Sequence, residues 1–291
     1  MHLCSFGCTR GDFMRRILLF ASLYLSFQLS AFATWSVLAV DRSTGRVVSA
    51  SATCVNGDDN LLMSAAAVIV PGKGVAACQA AADSTHENQM LVFRELQKGT
   101  DPRKIIEMLA QDPMFQSRQF GILDLQGRWS GHSGLNNGFV TQNMGGQVPG
   151  TEIFYEIQAN SMRTGNVVPN AVKAFLNAQG AITDRVMAAM EAADASGGDQ
   201  RCTCDRPPIP EENKAIPCTN RTTLIAYILM AEPNDTNGDS HNNGKYKMFI
   251  NVSQPQADHP SGIKAGENLN PVKTLRMRYD VWRKAQPADF R

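Results

Sequence analysis

The sequence predicts an α+β domain in which sheets are covered by helices. Three observations predict it. Strand runs and helical runs come in blocks, as strands, helices, strands, helices, strands and a last helix. Hairpin signals open the chain and return in its middle. Neither an internal repeat nor a long linker divides it. Of its 291 residues 43% are hydrophobic and 19% charged, which excludes a disordered or fibrous chain. Lys plus Arg number 28 against 27 acids, so no electrostatic footprint for nucleic acid or a polybasic membrane patch is present.

Residues 1–33 read as a separate object. Arg15 and Arg16 precede an apolar run from Ile17 to Leu29, and Ser30-Ala-Phe-Ala33 places small residues at −3 and −1 of a cut after Ala33. This is the pattern of a secretory signal peptide, with Met14 as a second candidate start. The run is too short for a comfortable membrane span, so no stable anchor is expected after cleavage. Removing 33 of 291 residues leaves 258, with 25 bases, 26 acids and five of the seven cysteines. The expected location is periplasmic or secreted, an oxidising compartment.

The mature chain then reads as one domain, 34–291. Thr34 to Val40 and Arg46 to Val55 flank the turn Asp41-Arg-Ser-Thr-Gly45 and predict a hairpin, its second strand built of small residues. Ala65 to Val70 and Gly74 to Ala80 are strand candidates split by Pro71-Gly72. A helix is predicted over His86 to Gln97. Another starts at Thr100-Asp101-Pro102, an N-cap with proline in the first turn. Gln119 to Leu125 and Arg128 to His132 form a second hairpin around Gln126-Gly127, and Thr151 to Ile157 is a further strand. Helical spacing returns at Asn170–Ala178 and Thr183–Ala195. Thr222 to Met230 is a strand apolar on both faces, Lys245 to Val252 another, and Val272, Leu275, Tyr279 and Trp282 make a last helical stripe. Two segments read as insertions: the Pro-rich, Cys-bearing 202–220 and the polar loop 232–244.

Cleavage after Ala33 would make Thr34 the first residue. An N-terminal threonine has a hydroxyl nucleophile and an α-amine with an ordinary pKa near ~7.7–8.0, a built-in base. An internal threonine has an amide nitrogen and lacks that base.

From Thr34 onward the chain resembles a known family, the domain of unknown function 1028, which is assigned to the N-terminal-nucleophile (Ntn) hydrolase superfamily. Thr34, Trp35, Ser36, Val37, Ala39, Val40 and Asp41 match the family's opening, which elsewhere follows the initiator Met directly. Ala52-Thr53, Ala77-Cys-Gln-Ala80, Arg118-Gln119, Asp124, Gly127, His132-Ser-Gly134, Gln158-Ala-Asn-Ser-Met162 and Gly197-Gly-Asp-Gln-Arg201 resemble later family motifs in order. The likeness runs over about residues 34–231, with 202–220 as a departure. It implies a four-layer αββα sandwich of two antiparallel sheets, with Thr34 in a cleft at the sheets' ends.

The resemblance implies an amidohydrolase acting on a small amide, peptide or acylated compound. Thr34 would be nucleophile and base, Thr53 would orient its amine, and Asn160 or backbone N–H groups would form the oxyanion hole. Asp199 and Arg201 either form a buried pair or bind a charged substrate end. His132 either binds substrate or ends a strand, and Gln158 either binds substrate or satisfies backbone. A non-catalytic cell-envelope binding protein on the same fold is the alternative. No cofactor is expected, and a homo-oligomer stays open. Cys202-x-Cys204 with Cys218 has unusual zinc spacing, so a disulfide from Cys218 to Cys202 or Cys204 is expected instead, with Cys54–Cys78 as a second candidate pair. Asp235-x-Asn-x-Asp239 starts like a calcium loop, but Tyr246 stands at position twelve and a plain surface loop is predicted.

Overall fold

The computed structural model describes residues 33–55, 59–138, 140–202, 221–254, 259–287 and 290. Most of the segment predicted as a signal peptide and most of the 202–220 insertion therefore lie outside the described residues. The fold is an αββα sandwich. Strands β1 (Thr34–Asp41), β2 (Arg46–Thr53), β7 (Gln142–Gln147), β8 (Ile153–Asn160), β9 (Ile225–Ala231) and β10 (Met248–Ser253) form a six-stranded sheet, ordered β10-β9-β2-β1-β8-β7. Strands β3 (Ala67–Val70), β4 (Gly74–Ala80), β5 (Arg118–Asp124) and β6 (Trp129–Ser133) form a four-stranded sheet in that order. Every strand pair is antiparallel.

Three apolar clusters fill the three spaces between four layers. Period-two alternation sends Trp35, Val37 and Ala39 of β1 outward, against α4 (Val167–Asn177), α5 (Ile182–Ala195) and α6 (Pro271–Lys284). Leu38 and Val40 point inward and meet Ile69, Val75, Ala77 and Leu123 of the smaller sheet. The outer face of that sheet, with Val68, Ala76, Phe120 and Ile122, is covered by Val92, Phe93 and Leu96 of α2 (Glu87–Lys98) and Ile105 and Leu109 of α3 (Pro102–Leu109). The predicted N-cap of α3 forms: Asp101 accepts from Arg103 N at 2.9 Å, and Pro102 takes the first turn. Asn270 does the same for α6, accepting from Val272 N at 2.9 Å.

Two elements differ from the sequence expectation in kind. Residues 65–66 end a helix, α1 (Asp59–Ala66), and the strand begins only at Ala67. Strand β7 (QNMGGQ) has no apolar alternation; it is an edge strand whose Gly145 lies under the Trp129 ring, where a Cβ would be 2.4 Å away. The 232–244 loop is a loop: Asp235 Oδ2 accepts from the backbone N of Glu232 and of Lys247, both at 2.8 Å, so it clamps a turn. Among the described residues no helix is long and apolar enough to cross a membrane.

Candidate functional site

β1 is central in its sheet, paired along its length to β2 and β8. Its first residue therefore has a fixed neighbour on each side: Thr34 is opposite Thr53 and opposite Asn160. All three are buried, as is Ala33 before them. Thr34 Oγ1 donates to Thr53 Oγ1 at 3.2 Å, and Thr34 N donates to Asn160 Oδ1 at 3.2 Å. Thr53 Oγ1 donates in turn to the Ala33 carbonyl at 2.7 Å.

The loop after α5 delivers the next group. Gly197 and Gly198 have φ of +104° and +47°, the left-handed region that glycine adopts without a Cβ penalty. They turn the chain so that Asp199 reaches the end of β2, where its Oδ2 accepts from Cys54 N at 2.8 Å. Arg201 closes on Asp199 with Nε to Oδ1 at 3.1 Å and Nη2 to Oδ2 at 2.6 Å. The same Nη2 reaches the Ala33 carbonyl at 2.8 Å and Thr53 Oγ1 at 3.3 Å. Asp199 and Arg201 are thus a pair, and the pair aims one guanidinium nitrogen at the Ala33–Thr34 peptide.

A disulfide fixes that loop. Cys54 pairs with Cys202, which corrects the sequence expectation of Cys202–Cys218 and Cys54–Cys78. The reason is topological. Cys54 follows β2 next to the Asp199 loop, while Cys78 lies on β4 in the other sheet, buried and unpaired as a thiol. Burial pushes the Cys78 thiol far above its ordinary value, so it stays neutral. Cys204 and Cys218 lie outside the described residues.

The smaller sheet contributes a side chain that sequence reasoning missed. Gln79 Nε2 donates to Thr34 O at 2.9 Å, to Asn160 Oδ1 at 3.2 Å and to Gln119 Oε1 at 2.7 Å. Its Oε1 accepts from Ser36 Oγ at 2.6 Å. Gln119 Nε2 reaches Ala159 O at 3.1 Å and Ser133 Oγ at 2.9 Å. A buried polar array thus ties the two sheets together at the Thr34 end. The available signal was a glutamine inside the otherwise apolar run Gly74–Ala80, since a buried amide must be hydrogen-bonded.

The other predicted site residues lie apart from Thr34. Gln158 is on the inner face but is occupied: its Nε2 donates to Ala77 O at 3.0 Å, and its Oε1 accepts from Asn143 at 2.9 Å. His132 is opposite Phe120, on the helix-covered face of the smaller sheet. Its ring stacks on Phe115 at 3.6 Å and its Nε2 meets Phe115 O at 3.0 Å. Burial lowers its pKa, with the Phe115 carbonyl acting the other way.

Beside Thr34 a pocket of about 380 Å³, open mouth included, runs between the sheets' end and α1. Thr34, Thr53 and Gln79 form its polar end; Leu61, Leu62, Ala65 and Ala66 of α1, with Val55, Cys78 and Ile225 among others, form an apolar remainder.

The model of the Family of unknown function (DUF1028) matches residues 34–205. The chain belongs to this family. The match starts on Thr34 and ends just past the Cys54–Cys202 bridge, so it takes in all the residues assembled around the pocket except Ile225. The fold is similar to the crystal structure of a protein of Silicibacter pomeroyi described under the same family, with TM-score 0.59 and 20% identity over 89% of this chain and 91% of that one. Among curated proteins none matches the chain.

Proposed function

We propose that the protein is an exported amide hydrolase of the N-terminal-nucleophile type, periplasmic or secreted, cut after Ala33 so that Thr34 leads the mature chain. The observation that carries this reading is the set of partners on the Ala33–Thr34 peptide. Thr53 holds the Thr34 hydroxyl, Asn160 holds its nitrogen, and Thr53 and Arg201 both donate to the Ala33 carbonyl.

Cleavage converts the Thr34 nitrogen from an amide into an amine that still faces Asn160 Oδ1. The amine takes the hydroxyl proton as Oγ1 attacks the substrate's carbonyl carbon. The C–N bond breaks, the departing nitrogen leaves with that proton, and an ester to Thr34 remains. Water then attacks the ester with the same amine as base, releasing the acid. Arg201 Nη2 and Thr53 Oγ1 lose the Ala33 carbonyl with the cut segment. They are then donors next to the nucleophile, suited to the negative oxygen of the tetrahedral state. In this assignment Asn160 orients the amine through its Oδ1, instead of serving as the oxyanion donor.

N-terminal sequencing of the exported protein, followed by an amide panel on Thr34→Ala and Thr34→Ser, tests the reading. Hydrolysis is expected to fall on the order of 10³-fold or more in Thr34→Ala, with part retained by Ser. A mature chain that begins elsewhere overturns it. Ligand binding without hydrolysis of any amide favours the binding-protein alternative.

A further inference from the structure

The pocket beside Thr34 has an uneven chemistry that narrows the substrate. Its polar groups sit at one end, Thr34, Thr53 and Gln79. The remainder is apolar: the aliphatic Val55, Leu61, Leu62 and Ile225, four alanines, and the neutral thiol of Cys78. Among the described residues that line it none is charged. The guanidinium of Arg201 is not part of that lining, and its charge is paired with Asp199. A charged acyl group placed there would lose its hydration with nothing in the lining to pair it, which disfavours its binding. An aliphatic chain loses nothing and gains from burial.

We infer that this pocket receives the acyl side of the substrate, and that the acyl group is an uncharged aliphatic chain. The inference rests on Thr34 acting on an amide, because that reading sets the carbonyl at the polar end and sends the chain along α1. The amine side then leaves by the opposite direction, and the pocket sets no demand on it. Ala65 and Ala66 matter through their size: a larger side chain on this part of α1 would occupy the space the chain needs.

The experiment uses the exported protein and straight-chain primary amides, acetamide, butanamide, hexanamide and octanamide, with succinamate as the charged probe. Binding is measured by calorimetry on Thr34→Ala, and turnover as ammonia release by the wild type. Affinity is expected to rise about threefold to fourfold per added methylene until the pocket is full, from ~0.8 kcal/mol per buried methylene. Succinamate is expected to bind more weakly than butanamide. Ala65→Phe, at a half-buried position, should erase the gain beyond butanamide. Leu61→Asp, at an exposed position, should cut the preference for octanamide over acetamide at least tenfold. Affinity that ignores chain length, or succinamate as the best ligand, overturns the acyl pocket. A chain-length gain without ammonia release keeps the pocket and removes the hydrolase reading. Ammonia release without chain-length preference does the reverse.

Discussion

Glu156 is the residue whose chemistry departs furthest from its ordinary state among the carboxylates of the inner layer. It lies on β8 opposite Leu38, fully buried between the sheets. Its Oε1 accepts from Asn143 Nδ2 at 3.0 Å, and its Oε2 is buried without a hydrogen-bond partner. Burial raises its pKa from 4.5 to about 8, the Asn143 bond opposing that only in part. The folded protein therefore holds a proton here that the unfolded chain releases. Where the native state binds more protons, stability falls as pH rises. From this group the full contribution is present below pH 4.5, declines between 4.5 and about 8, and is lost above that. The slope from one such group approaches ~1.4 kcal/mol per pH unit. Glu156→Gln keeps the shape and removes the proton. Urea unfolding of both proteins from pH 5 to 9 should give a difference that grows with pH in favour of Gln. A constant difference would refute a protonated Glu156. At this scale motif resemblance singled out Thr34, Thr53, Asn160, Asp199 and Arg201, which the structure places together. Gln79 stood in one of those motifs without a role and Glu156 stood in none, because their meaning comes from strands that meet across the two sheets.

At the scale of elements the sheets meet closely enough to dictate residue size. Gly121 on β5 has the Glu156 carboxyl where a side chain would start, with a Cβ 2.1 Å from Oε2. Gly121→Ala should lower stability by about 1–3 kcal/mol, as overpacking does. In a Glu156→Ala background the same change should cost less by at least ~1 kcal/mol, a coupling that a double-mutant cycle reads directly. Equal costs in both backgrounds would mean the strain lies elsewhere. The Cys54–Cys202 bridge acts between elements too, joining the end of β2 to the loop after α5 across 148 residues. Replacing both cysteines with Ser should cost roughly 2–5 kcal/mol. It should also weaken hydrolysis, because the bridge holds Arg201 against Thr53. Reduced and oxidised wild type compared in the same unfolding and activity assays check both effects. The apolar β1, β4, β5 and β9 and the capped α3 were legible because local pattern and tertiary fate agree. Strand β7 was not: QNMGGQ carries no alternation, and its glycines are fixed by neighbours such as Trp129. Helix α1 was hidden for a related reason. Ala65 and Ala66 continue an apolar run into β3, and no period separates the two.

For the whole molecule the decisive feature is that the chain's proposed first residue begins a central strand. Ala33 is 0% exposed and Thr34 1%, with β2 and β8 on either side. Thr34, on the far side of the proposed cut, is already paired on both edges in the folded protein. Under the proposed function the cut after Ala33 is expected to precede folding, as when a chain is exported unfolded and trimmed on the way. The proposed order of events is export, cleavage, then assembly of the sandwich around Thr34. The order is testable by expressing the protein two ways in the cytoplasm. With residues 1–33 retained, Thr34 keeps an amide nitrogen, and amide hydrolysis should stay on the order of 10³-fold or more below that of the exported protein. Adding signal peptidase to the folded chain should not restore it. With residues 1–33 replaced by a single Met, intact mass should show Thr34 at the front. Hydrolysis should then return once the Cys54–Cys202 bridge has been oxidised in vitro. Activity in the uncut form would show that the free amine is dispensable, and cleavage of the folded chain at Ala33 would overturn the order.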